Sequence, residues 1–197
     1  MRKSIVSKSI VSKSIVSKSI VSLITLIAIL AFLSSTAAAA SKVTLQPASK
    51  NVYAGENITL NVVVTPDTQI SGIQFDLEYD GSLFQIAGVT EGNLFSQSGQ
   101  NTLFSPGQIE NGKLTNVYGC ILGSSSVSTP ETFATVTLKA NTGVQGTSQF
   151  YLRNVTVSSS ASKPVDVRLV NTGITISEPE AKKPRGLLVK LIKSILG

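Results

Sequence analysis

The chain has 197 residues, enough for one domain with appendages, and only 14% of them are charged. It has no histidine, no tryptophan and one cysteine, which excludes a Ser-His-Asp or Cys-His catalytic centre, an imidazole or thiolate metal site and an intramolecular disulfide. The net charge of +6 sits on the two ends: residues 41–176 carry seven basic and nine acidic residues, so the middle lacks the concentrated positive charge of a nucleic-acid-binding domain.

The pentamer KSIVS occurs four times over Lys3–Ser22, a period too short for a solenoid unit. It forms a basic stretch ahead of the charge-free run Leu23–Leu33, which is followed by the small residues SSTAAAA. Basic, then apolar, then small is the order of a secretory signal peptide. Residues 1–40 therefore predict export, with cleavage after Ala40. The alternative is an uncleaved anchor, because residues 20–40 carry no charge and approach the ~20 residues that span a bilayer. Either way the expected location is extracellular or the cell surface.

From Val43 to Ile176 the chain is rich in Val, Thr, Ile and Ser, punctuated by Gly, Pro and Asn. Such composition predicts a β-sandwich. Ile58–Thr65 places Ile58, Leu60, Val62 and Val64 on one face. Ile73–Asp80 alternates without a break: Ile73, Phe75, Leu77 and Tyr79 point one way, and Gln74, Asp76, Glu78 and Asp80 the other. Phe84–Thr90 follows. Asn111-Gly112 predicts a type I′ turn between Gln108–Glu110 and Lys113–Leu122. Phe133–Ala140 turns Ala134, Val136 and Leu138 inward. Thr147–Val157, Val165–Val170 and Gly173–Ile176 bring the total to about nine strands. No stretch of 41–176 shows a helical apolar period. Cys120, in the apolar segment VYGCILG, reads as a small buried hydrophobe. Asn57-Ile-Thr59 and Asn154-Val-Thr156 are glycosylation sequons.

Residues 177–185 read as a polar, Pro-containing linker. In 186–197, GLLVKLIKSILG, the apolar residues cover one helical arc, and Lys190, Lys193 and Ser194 the other. This predicts a basic amphipathic helix of ~17 Å, too short to cross a bilayer. It either lies on an anionic membrane surface or docks on its own domain or a partner.

Five stretches, in order and at matching spacing, resemble a cohesin module of exported prokaryotic proteins: 54–64, 71–86, 111–119, 132–140 and 171–176. The resemblance covers nearly all of 41–176 and implies a nine-stranded jelly-roll sandwich with a binding role and no cofactor. Cohesins hold dockerins, calcium-loaded helical modules carried by glycoside hydrolases, and so assemble polysaccharide-degrading complexes. They do so through the outward face of one sheet. Carried over by position, the partner-binding residues are Gln74, Asp76, Glu78, Thr115, Val117 and Gly119, with Leu114, Tyr118 and Cys120 turned inward. Two departures stand out. Asn116 occupies a position that is apolar in the family, and Gly72 and Gln74 replace an Asn-x-Asp pair.

Alternating carboxylates such as Asp76 and Glu78 lie roughly 7 Å apart, near the spacing of an inverting glycosidase pair. A flat strand face supplies neither a pocket nor a raised carboxyl pKa, so no catalytic residue is assigned. No EF-hand loop is present, and no metal ligand is assigned. The expected function is an exported, non-catalytic module that holds a dockerin-bearing enzyme. The alternatives are direct carbohydrate binding to a polysaccharide, or a structural role at the cell surface. The absence of tryptophan weighs against a sugar-stacking surface.

Overall fold

The computed structural model describes residues 40–178. The predicted export signal, most of the predicted linker and the predicted basic helix lie outside these residues. Alternating apolar residues pair into two sheets that face each other as a sandwich, the all-β architecture expected from the sequence. The five-stranded sheet has the order β12 (Val167–Val170), β1 (Ser41–Pro47), β3 (Asn57–Thr65), β9 (Glu131–Ala140), β5 (Phe84–Glu91). The other sheet has the order β2 (Asn51–Tyr53), β13 (Thr172–Ser177), β10 (Gly146–Ser159), β4 (Ile70–Glu78), β8 (Lys113–Ile121), β6 (Thr102–Ser105). Two short strands complete it: β7 (Gln108–Glu110) on β8 and β11 (Pro164–Val165) on β10.

Among the described residues, thirteen strand segments stand where about nine were expected. The additions are short or lie next to Pro47 and Gly55, where too few alternating residues occur in a row to signal a strand. Most pairings are antiparallel; β1–β12 and β2–β13 are parallel. Asn111-Gly112 does make a two-residue connection, but only Gly112 has a positive φ, of 79°, so the turn is not type I′. The tip is held instead by the Tyr79 N–H, which donates to the Gly112 carbonyl at 3.0 Å.

The core is the expected alternation made solid. Ile58, Leu60, Val62 and Val64 of β3 and Ala134, Val136 and Leu138 of β9 are buried on one side. Ile73, Phe75 and Leu77 of β4 and Leu152 and Val157 of β10 are buried on the other. Phe133 is the aromatic hub. Its ring meets Phe75, Phe95 and Phe104 edge-on at centroid distances of 6.0, 5.8 and 5.7 Å. Edge-to-face pairs of this kind add specific geometry to burial.

Gly119 of β8 lies directly over this hub. A Cβ there would sit 2.9 Å from Phe133 Cε2 and 3.0 Å from the Leu103 carbonyl oxygen. Gly119→Ala should therefore overpack the core and cost about 1–3 kcal/mol. Urea denaturation checks this, and an unchanged midpoint would mean that the ring moves aside freely.

Candidate partner-binding face

The outer face of the larger sheet is ordered by two irregularities. On β8, Phe75 pairs with Val117 but Leu77 pairs with Leu114, so one extra residue of β8 is inserted opposite Asp76. On β10, Arg153 pairs with Asp76 and Thr156 with Gln74, again one residue too many. Each extra residue is accommodated by an asparagine in the left-handed region: Asn116 at φ 57° and Asn154 at φ 47°. Asparagine tolerates this conformation better than most residues.

Asp76 sits between the two bulges and ties both. Its Oδ1 accepts the Asn116 backbone N–H at 2.8 Å, and its Oδ2 accepts the Asn154 side-chain Nδ2 at 2.6 Å. Asp76→Ala should leave both partners to water. The loss is about 1–2 kcal/mol for charge-assisted bonds at a half-exposed site, visible as a melting temperature lower by a few degrees. An unchanged melting temperature would show that the bulges hold without their shared acceptor.

The β8 bulge reverses which residues face out. Leu114 is buried as expected, but Val117 (0% exposed) and Gly119 are buried too, whereas Tyr118 is 42% exposed and Cys120 half-exposed. The expected outward positions of Val117 and Gly119, and the expected inward positions of Tyr118 and Cys120, are thus corrected. The cause is the inserted residue, since a shift by one turns every later side chain to the opposite face. Thr115 lies before the bulge and is half-buried. Gln74 is exposed, and Asp76 and Glu78 are half-buried, on the face where alternation placed them.

Three rows of cross-strand partners then run over the face. Ser158, Gly72, Cys120 and Leu103 form one; Thr156, Gln74, Tyr118 and Ser105 the next; Tyr151, Glu78, Lys113 and Glu110 the third. Leu103 (47% exposed), Tyr118 and Leu122 (50% exposed) give the β6–β8 side an apolar strip around Cys120. The β4–β10 side is polar. Glu78 pairs with Arg153 at 2.8 Å, and the Arg153 guanidinium lies over the Tyr151 ring, 5.0 Å from its centroid. Asp80, grouped with these acids by alternation, belongs to the following turn. The hydroxyl and amide of Ser82 donate to it at 2.6 and 2.9 Å and hold its carboxyl below the usual range. Of the two sequon asparagines, Asn57 is exposed at the start of β3 on the other sheet, while Asn154 is the residue bound to Asp76.

A family model described as Cohesin domain matches residues 41–176. The chain belongs to the cohesin domain family. Solved structures similar to this cohesin include a non-cellulosomal cohesin from the hyperthermophilic archaeon Archaeoglobus fulgidus, at 20% identity and a TM-score of 0.58, covering 72% of this chain and 94% of that one. A chain of a type I cohesin–dockerin complex from Clostridium thermocellum matches at 16% identity and a TM-score of 0.59, covering 74% and 99%. A type II cohesin domain from the cellulosome of Acetivibrio cellulolyticus matches at 15% identity and a TM-score of 0.56, covering 70% and 95%. At these identities the likeness is one of fold. No curated protein sequence matches this cohesin.

Proposed function

We propose that this cohesin is a non-catalytic receptor that holds a dockerin-type protein module through the outer face of its larger sheet. The observation that carries the proposal is the side-by-side placement, on β8 and β4, of an exposed apolar strip around Tyr118 and a polar row of Gln74, Asp76 and Glu78. A mixed face of this kind, with an aromatic anchor and a polar surround, suits a protein partner. Export through residues 1–40, at the cell surface or in the medium, belongs to the same proposal. A glycan on Asn57 would leave the face open, whereas one on Asn154 would stand within it.

Direct sugar binding has one observation in its favour, since Tyr118 and Tyr151 are both exposed on this face. Arg153 already covers one side of the Tyr151 ring. The two tyrosines also stand in different rows, separated by two strand spacings of about 4.8 Å and by several residues along β4. That arrangement favours the protein partner.

Tyr118→Asp should weaken binding of a purified dockerin module in calcium at least tenfold, measured by titration calorimetry. Gln85→Asp, on β5 of the opposite sheet, should leave it unchanged. Equal affinities for both variants would move the site off this face.

A further inference from the structure

The apolar strip on β8 and β6 is also matched by a segment of the chain itself. We infer that residues 186–197 dock on the outer face of the larger sheet as an amphipathic helix and cover Tyr118, Cys120, Leu122 and Leu103. Three observations support this occupant.

The first is chemical fit. The strip presents three large exposed apolar side chains on neighbouring strands with no cover among the described residues. The segment carries Leu187, Leu188, Leu191, Ile192 and Ile195 on one arc, an apolar face that itself needs cover.

The second is charge. The face carries three carboxylates, on Asp76, Glu78 and Glu110, against two cations, Lys113 and Arg153. The segment brings Lys190 and Lys193 and no acid. Lysines flanking an apolar arc would lie along the acidic edge of the strip.

The third is reach. Strand β13 ends at Ser177, next to Ile176, which pairs with Gly146 at the start of β10. From there the Lys113 row is five residues along β10 and three strands across, about 22 Å away at ~3.3 Å per residue and ~4.8 Å per strand. The nine steps from Ser177 to Gly186 span up to about 30 Å. A twelve-residue helix is about 18 Å long, close to the length of β8 between Thr115 and Cys120. On the same reckoning the Asp76 row beside Asn116, seven residues along β10, is about 27 Å away, so the extended linker reaches the bulge, and a helix begun there runs over Tyr118 and Cys120 towards Leu122.

The docking stands on these features alone. That it competes with a dockerin for the face rests on the proposed function. Such competition would make the free protein self-covered and would reduce its apparent affinity.

Cys120 is the only cysteine of the chain and lies half-exposed in the middle of the strip, so it reports coverage directly. The experiment needs no partner. The full chain and its Leu191→Asp/Ile195→Asp variant are mixed with a soluble disulfide reagent, and the rate of thiol release is followed over a range of protein concentrations. Both substitutions lie outside the sandwich, and matching melting temperatures confirm equal folding. The expected result is a rate at least fivefold slower in the unsubstituted chain, independent of concentration. Equal rates overturn the inference. Protection that appears only as concentration rises assigns the segment to a second copy and overturns it as well. Equal rates together with wild-type binding to phosphatidylglycerol vesicles would assign the segment to a lipid surface instead.

Discussion

Val117→Asp should unfold the sandwich, whereas its neighbour Tyr118→Asp should leave it folded. Val117 is fully buried in the sheet interior. A carboxylate there would lose its hydration inside the hydrophobic core cluster to which Val117 belongs. The cost is about 4 kcal/mol or more, a large part of the stability of a domain this size. Tyr118 points to water, and its replacement should stay within about 1 kcal/mol. Unbroken alternation from Leu114 predicts the reverse pair of outcomes. Urea denaturation of the two variants therefore reads the register of β8. A folded Val117→Asp beside an unfolded Tyr118→Asp would refute the bulge at Asn116.

Phe133→Ala should cost about 3–5 kcal/mol and lower the melting temperature by roughly 10 °C or more. The ring is almost fully buried and is the shared neighbour of Phe75, Phe95 and Phe104, while Gly119 presses on it from β8. Removing it opens a cavity bounded by the three rings that meet it edge-on. Because β8 rests on the ring through Gly119, the loss should also loosen the strand that carries Tyr118. Amide exchange in 117–121 should then accelerate more than exchange in β3. Uniform acceleration would show that Phe133 supports the whole core rather than the β8 side. A loss below about 1.5 kcal/mol would show that the three neighbouring rings collapse into the space.

The fold was legible wherever alternation runs unbroken. Ile73–Tyr79 alternates over its full length, and its inward set, Ile73, Phe75, Leu77 and Tyr79, is buried. The same holds for Ile58–Val64 and for Ala134–Leu138. Strand β8 was misread because period-two counting carries no information about an inserted residue. A signal was nevertheless present. Leu114 and Ile121 are both apolar and lie an odd number of residues apart, so they cannot share a face of a regular strand. The polar Asn116 between them marks the residue that breaks the phase. Val43 and Leu45 alternate in β1, but Pro47 ends the run too soon to stand out.

The candidate face was legible in part. The resemblance gave the sheet, and alternation gave Gln74, Asp76 and Glu78. Two of its three exposed apolar members, Tyr118 and Leu103, were missed for separate reasons: one sits past the bulge, and the other on a strand of only four residues. The role of Asp76 in tying two bulges could not be read at all. Its partners lie 40 and 78 residues away in sequence, and only the pairing of three strands brings them together.

Calcium-dependent capture tests the binding face most directly. The full chain and its Tyr118→Asp variant are immobilised and offered the secreted proteins of the source organism, in calcium and again in chelator. The predicted result is a dockerin-bearing glycoside hydrolase recovered by the unsubstituted chain in calcium alone, and lost with Tyr118→Asp. Equal recovery by the two chains, or no such protein in either condition, would contradict the assignment of this face to a dockerin.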